Sequence, residues 1–294
     1  MVKSVRRAEI RTAWRSRYGV LESVRRNEVR AIAPSHPAGP GGAGCNLGPM
    51  DTLVALEGLH ALKHALRFGA QVEEIDTDDL DRALALAQTI APDLGPVLAE
   101  RARGVASPAL RARAAQPIPT HVLAFAHRPG WTLAQTRPSP AHPVVLLDDP
   151  RNSKNLGAVV RVAAAAGAAA VLALGAVDFF DPMAVRGAAG LQWALPCWAS
   201  PHLLDELDDE WEADRPQMVG LDADGSPFDP AGFSQPTIFA FGSERSGLSQ
   251  EVRRRCDAIV SLPMTPHVSS LNLATAVSAV LYLRLYSGLS HSVG

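Results

Sequence analysis

The sequence predicts an α/β protein, a C-terminal domain on a parallel sheet preceded by a small α/β domain. Three observations lead there. From residue 144 onward short, unbroken apolar strands alternate with helical stretches, the pattern of a parallel sheet covered on both faces. Two Pro-rich segments, "PSHPAGPGGAGCNLGP" (34–49) and "RPSPAHP" (137–143), punctuate the chain. Of 294 residues, 47% are hydrophobic, enough for a sizeable core.

Residues 1–50 read as a basic extension ending in the first Pro/Gly linker. The linker contains a formal G-x-G-x-x-G at Gly39, Gly41 and Gly44, but no strand precedes it and three prolines crowd it, so it is not a dinucleotide loop. The small domain fills 51–137. A helix is expected from Thr52 to Phe68, a second over 78–90, and "THVLAFAHRP" (120–129) alternates like a strand. His60 and His64 have the i, i+4 spacing of metal ligands, but no third ligand is evident, so no metal is expected.

The C-terminal domain, 142–294, offers strands at 144–148, 169–174, 217–221, 237–242 and 258–263, and helices at 155–166, 202–212, 248–256 and 271–286. "NLGAVVRVAAAAGAAAVLALGAV" (155–177) is long enough to suggest a membrane span. Arg161 lies inside it, and its alanines are only mildly apolar. A helix that stops at Gly167, followed by a strand, is the better reading. Arg161 then needs a purpose, and a pair with Asp148 or Asp149 would be an ordinary one.

Charge is strongly segmented. Nine Lys/Arg face three acids in 1–50, three face ten in 51–100, and six Arg stand without any acid in 101–140. Two basic segments suit a polyanion contacted locally, or else solvated helix faces and a tail. Cys45, Cys197 and Cys256 are far apart and odd in number, which argues against a disulfide framework. No leader-like apolar segment opens the chain, so a cytoplasmic protein is expected.

Ligands of open α/β sheets bind beyond the carboxyl ends of the strands, and three of these ends carry unusual polar residues. "LLDDPRNSKNLGAVVRVAAAAG" holds Asn155, Gly157 and Arg161, with Gly157 permitting close approach of another backbone. "IFAFGSERSGLSQEV" ends its strand at Gly242 and carries Glu244 and Gly247, with Ser249 placed to cap the next helix. "VSLPMTPHVSSLNLATAVSAVLY" has Ser270 as a candidate cap, with Asn272 in the first turn of the last helix among apolar neighbours.

Together these segments resemble the three motifs of the SpoU/TrmH family of RNA ribose 2′-O-methyltransferases, of the knotted SPOUT class. The first motif falls on Asn155, Gly157 and Arg161, the second on Gly242, Glu244 and Gly247, and the third on Leu262, Pro263, Ser270, Leu271, Asn272 and Ala276. "LEGLHALKHALRFGA" and "THVLAFAHRP" resemble, more weakly, parts of the substrate-binding domain that often precedes this catalytic domain. Two departures stand out: the extended approach "DPRNSKN", and Pro266 where the family usually has Gly.

The resemblance implies a C-terminal trefoil knot and S-adenosylmethionine bound by backbone groups at Gly242, Leu262 and Leu271. It places Arg161 as the catalytic arginine, with Asn155, Glu244, Ser270 and Asn272 orienting it and the ribose. A guanidinium is effectively never deprotonated, so Arg161 would act by electrostatic stabilisation. Structured RNA, rRNA before tRNA, is the implied substrate, and a homodimer the implied assembly. Neither DNA nor membrane is expected as a partner. A non-catalytic RNA-binding or ribosome-assembly factor on the same fold is the alternative.

Overall fold

The structure, a computed structural model, describes residues 53–212, 214–268 and 270–290. The basic extension and the linker at 34–49 lie outside the described residues. The first sheet is built from β1 (Val54–Glu57), β2 (Val72–Thr77), β3 (Arg103–Gly104) and β4 (Val122–Ala126), in the order β1-β4-β2-β3. Strand β4 runs antiparallel to both neighbours. Helices α1 (Leu59–Arg67), α2 (Leu80–Ile90), α3 (Gly95–Arg101) and α4 (Ser107–Arg113) connect the strands.

The helix expected from Thr52 begins only at Leu59, because a strand comes first. Val54 and Leu56 point inward at period two, and Gly58 turns the chain with φ of 93°. Strand β2, "VEEIDT", is not evident from the sequence because its acids obscure any apolar pattern. Those acids are matched across the sheet. Arg103 Nε donates to Asp76 Oδ1 at 3.0 Å, and Arg113 Nη2 to Glu74 Oε2 at 2.8 Å. The Arg113 guanidinium also lies over the Phe125 ring.

The second sheet contains β5 (Val144–Asp148), β6 (Ala170–Leu174), β7 (Cys197–Ser200), β8 (Gln217–Pro227), β9 (Thr237–Phe241) and β10 (Ala258–Ser261). All six run parallel, in the order β10-β8-β9-β5-β6-β7. The strands are largely apolar without alternation because both faces are covered; β8 departs from this in its second half, "DADGSP" (222–227), which is partly exposed. Val145, Leu147, Val171 and Phe239 pack beneath α5 (Ser153–Ala166) and α9 (Leu273–Ser290). Val144, Leu146, Leu172 and Ile238 pack under α7 (Leu203–Trp211), with Val252 of α8 (Gln250–Arg255). Helix α5 ends at Gly167, in the left-handed conformation, and β6 follows at once. Among the described residues no helix is long and apolar enough to cross a membrane.

Two elements of this half are not evident from the sequence: the short edge strand β7, and α6 (Pro182–Ala188). Helix α6 matters to the whole. On one side it crosses α5 so closely that a Cβ on Gly157 would stand 2.2 Å from the Ala184 carbonyl oxygen. On the other side Val185 and the following Trp193 join the core of the first sheet. Arg128 clamps Asp178 through both guanidinium nitrogens at 2.9 and 2.7 Å, and Trp193 Nε1 donates to the His127 carbonyl at 3.2 Å. The Pro-rich turn at 137–143 therefore separates two sheets whose cores share this segment.

Gly157→Ala should test the crossing. Ala is the better helix former by about 1 kcal/mol, yet its methyl would meet backbone on a facing helix, which cannot swing aside. Overpacking of this kind costs roughly 1–3 kcal/mol, so a thermal melt should fall by several degrees despite the gain in propensity.

Candidate functional site

In a parallel sheet a crevice opens where the chain reverses the direction in which it adds strands. Here that point lies between β5 and β9. The chain lays β6 and β7 on one side of β5, then β8 and β9 on the other. Asp148, at the end of β5, is buried and accepts the Ser249 N–H at 2.5 Å, tying the β9 loop to the β5 loop. Ser249 in turn caps α8 through Val252 N–H, as its position suggests.

Into this crevice the three motifs send side chains that meet. Asn152 caps α5 by accepting from Lys154 and Asn155 N–H, which sets Asn155 in the first turn, facing the β9 loop. The Asn155 amide nitrogen donates to Glu244 Oε1, and Asn155 Oδ1 accepts from Asn272 Nδ2 at 3.3 Å. Asn272 is not within α9. Its Oδ1 accepts Ala274 N–H at 3.0 Å, so it caps the helix. That displaces Ser270 from the capping role expected for it, and Ser270 lies exposed on the preceding loop. Asn272 is likewise exposed rather than buried among apolar side chains.

The backbone around this trio is tight. Gly242 has no room for a Cβ, which would come within 2.2 Å of Leu248 N. Ser243 and Gly247 bond to one another across the loop, with Gly247 at φ 65°. Leu271 is 40% exposed beside Asn272, and Leu262 is partly buried against the core. Pro266 fits its loop: it occupies the second position of a turn in which Val268 N–H bonds to Thr265 O at 3.2 Å. His267 follows at φ 72°, making this a type II turn, for which proline is suited at that position.

Arg161 is not part of this trio. It stands six residues beyond Asn155 on α5, about 9 Å along the axis and pointing to another side. Asp149 binds Arg151 at 2.7 Å and Asp148 is taken by Ser249, so neither aspartate pairs with Arg161. Glu244, which could also have paired with it, is engaged by Asn155. Among the described residues no hydrogen bond or ion pair holds Arg161. Its exposed guanidinium lines a cavity of about 280 Å³ beside His60, Arg186 and Glu57. Nothing in the sequence marks Glu57 or Arg186 as site residues, since a lone acid at a strand end and a lone arginine on a short helix carry no motif.

The arginines of 101–140, expected to face a polyanion, are mostly engaged within the chain. Arg101 bonds the Val72 carbonyl, Arg103 and Arg113 hold Glu74 and Asp76, Arg128 holds Asp178, and Arg137 holds Asp214. The basic stretch thus neutralises acids that include those of β2. Among the described residues no group of three or more His, Cys, Asp or Glu could hold a metal ion.

The chain is similar to known RNA methyltransferases. The SpoU rRNA Methylase family matches residues 142–282. A 23S rRNA (uridine(2479)-2′-O)-methyltransferase of Streptomyces viridochromogenes is 38% identical over 147 residues, 47% of this chain. The chain spans only 50% of that relative's length. An uncharacterised tRNA/rRNA methyltransferase of Mycolicibacterium vanbaalenii is 32% identical over 266 residues, covering 84% of this chain and 83% of the relative. Among solved structures, the SpoU methyltransferase AviRb of Streptomyces viridochromogenes, in complex with AdoMet, superposes with a TM-score of 0.67 at 27% identity. That match covers 81% of this chain and 91% of AviRb.

The histidines near Arg161 give a pH test. His64 Nδ1–H donates to the Ala189 carbonyl at 2.8 Å, where α1 meets the end of α6. Burial holds its pKa below the usual 6.5, partly offset by that bond, with Lys63, Arg67 and Arg161 lowering it further. His60 shifts the same way, first through burial. The unfolded chain therefore takes up protons that the folded chain refuses, and stability rises with pH across that interval. Stability should be level above pH 6.5 as far as these groups act, and fall below it. The depressed carboxylates Asp78 and Asp93 act only below about pH 4. Urea midpoints taken from neutral to mildly acidic pH should show this slope, and His64→Gln should reduce it to the part that His60 carries.

Proposed function

The chain belongs to the SpoU RNA methyltransferase family, and from that premise we propose that it transfers the methyl group of S-adenosylmethionine to a ribose 2′-hydroxyl of structured RNA, with rRNA favoured over tRNA. The observation that carries this reading is the meeting of Asn155, Glu244 and Asn272 at the switch point of the sheet. Relatives named as rRNA methyltransferases, one of them solved with AdoMet, support it. We read residues 51–137 as the RNA-substrate domain and 142–294 as the catalytic domain. The insertion of β9 between β8 and β5 suits the family's knotted crossing.

The loops fit the cofactor. Gly242 lets the loop close tightly on the Gly247–Leu248 backbone, and Leu271 offers an exposed apolar surface beside Asn272. S-adenosylmethionine, when bound, supplies a methyl group on a cationic sulfur. The chain's own task is to position the ribose and stabilise charge. Asn155, Glu244 and Asn272, fixed by mutual bonds, hold the ribose in line, and Ser270 lies within the same loop. Orientation of this kind removes much of the entropic barrier to attack. Arg161 stabilises the negative charge that develops on the 2′-oxygen as its proton passes to water and the methyl's bond to sulfur gives way to a bond to oxygen. Because Arg161 and the trio are separate within one chain, we place them together at the interface of a homodimer. Helix α9 leaves Leu283 and Tyr286 46% and 67% exposed, a surface suited to a second copy.

Methyl transfer from labelled S-adenosylmethionine to unmodified rRNA and tRNA, offered separately, tests the reading. We expect label in one RNA pool, resistant to alkaline cleavage at one nucleotide. Arg161→Ala should lower transfer by about 10²–10³-fold while its melting temperature and cofactor affinity stay those of the parent; undiminished turnover would remove the assignment. Leu283→Arg should convert a sedimenting dimer to monomer, and a monomeric parent would contradict the shared site.

A further inference from the structure

The cavity beside Arg161 has a chemistry of its own. Its floor is the Glu57 carboxylate, whose side chain is only 4% exposed. Glu57 Oε1 accepts the N–H of Ala115 at 2.6 Å and of Gln116 at 3.2 Å, which holds the loop before β4 against the end of β1. Glu57 Oε2 is buried with no hydrogen bond; Arg186 Nη1, which donates to the Pro117 carbonyl at 3.5 Å, forms only a long ion pair with it at 3.7 Å. A glutamine would hold the loop equally well through its carbonyl oxygen. The second carboxylate oxygen therefore receives no hydrogen bond from the fold, and a buried acceptor in that state is costly.

The walls and the rim narrow what could meet it. Ile118 provides apolar surface, with the buried Leu59 and Ala61 behind the wall. Arg161 and Arg186 bring cationic character to the lining. A simple anion is repelled by Glu57, and a simple cation is opposed by the two arginines. A ligand that carries a hydrogen-bond donor at one end and a phosphate at the other satisfies both.

Resting on the methyltransferase reading, we propose that this cavity is a base-reading pocket for a nucleotide of the RNA strand. In it Glu57 Oε2 accepts the ring N–H, and Arg186 donates to the adjacent carbonyl, of guanine or uracil. Adenine and cytosine have no ring N–H at neutral pH, and their amino groups place a second hydrogen in the buried floor without a partner. A matched pair of base contacts is worth roughly 1–3 kcal/mol of discrimination, so a preference of about tenfold is expected.

The test titrates the full chain with 5′-GMP, UMP, AMP and CMP by ligand-observed NMR, with S-adenosylhomocysteine present to occupy the cofactor loops. GMP or UMP should bind about tenfold more tightly than AMP and CMP. Glu57→Gln, which keeps the Ala115 and Gln116 bonds, should abolish that preference, and a thermal melt checks its fold. Ile118→Trp fills the cavity, leaves Glu57 untouched and should lose binding of all four. Equal binding of the four nucleotides, no binding at saturation, a preference retained by Glu57→Gln, or parental binding by Ile118→Trp would each overturn the proposal. Methyl transfer is read in parallel. Transfer without base preference removes the pocket and leaves the enzyme reading, whereas base preference without transfer to any RNA supports the pocket and removes the enzyme reading.

Discussion

One side-chain amide organises the crevice of the second sheet. Asn155 uses its nitrogen toward Glu244 and its oxygen toward Asn272, so it joins three segments far apart in sequence. A carboxylate cannot donate, which fixes the orientation of the amide. No other side chain of similar size both donates and accepts in this geometry. The rest of the fold serves to deliver Asn155 there. The Asn152 cap starts α5 at the required residue, Gly157 lets α5 lie close on α6, and strand order brings the β9 loop beside the β5 loop.

The first sheet is held by a different logic. Its central strand β4 is apolar, but β2 carries acids that need Arg103 and Arg113, and the sheet completes its core with Val185 and Trp193 from the other half. Gly190 sits so close to α1 that a Cβ would approach the Ala61 carbonyl oxygen to 2.3 Å. Close backbone approach, a shared core and the Arg128–Asp178 clamp leave little freedom to this junction.

What the sequence disclosed and what it hid follow from range. The strands of the second sheet were legible because continuous apolar runs such as 144–148 report burial on both faces, a local signal. Gly167 was legible as a stop, and Gly157 as a point of close approach. Strand β2 was hidden because its acids are compensated from positions 27 to 39 residues away, a pairing that periodicity cannot show. The trio of Asn155, Glu244 and Asn272 could be named from its motifs, yet its bonds could not, and Ser270 was given a cap that belongs to Asn272. Glu57 was illegible because its meaning lies in an unmet lone pair, and only coordinates reveal one.

The turn at Pro266 and His267 bears on how the crevice admits a ligand. Proline restricts the unfolded chain, and the bond from Val268 N–H to Thr265 O fixes the fold of the loop. A histidine at φ 72° spends some of that gain on a conformation that glycine would adopt freely. Where a glycine would leave the loop to be ordered by its ligand, this pair orders it beforehand. Association at this rim therefore surrenders less conformational entropy, because part of the ordering is complete in the backbone before any partner arrives.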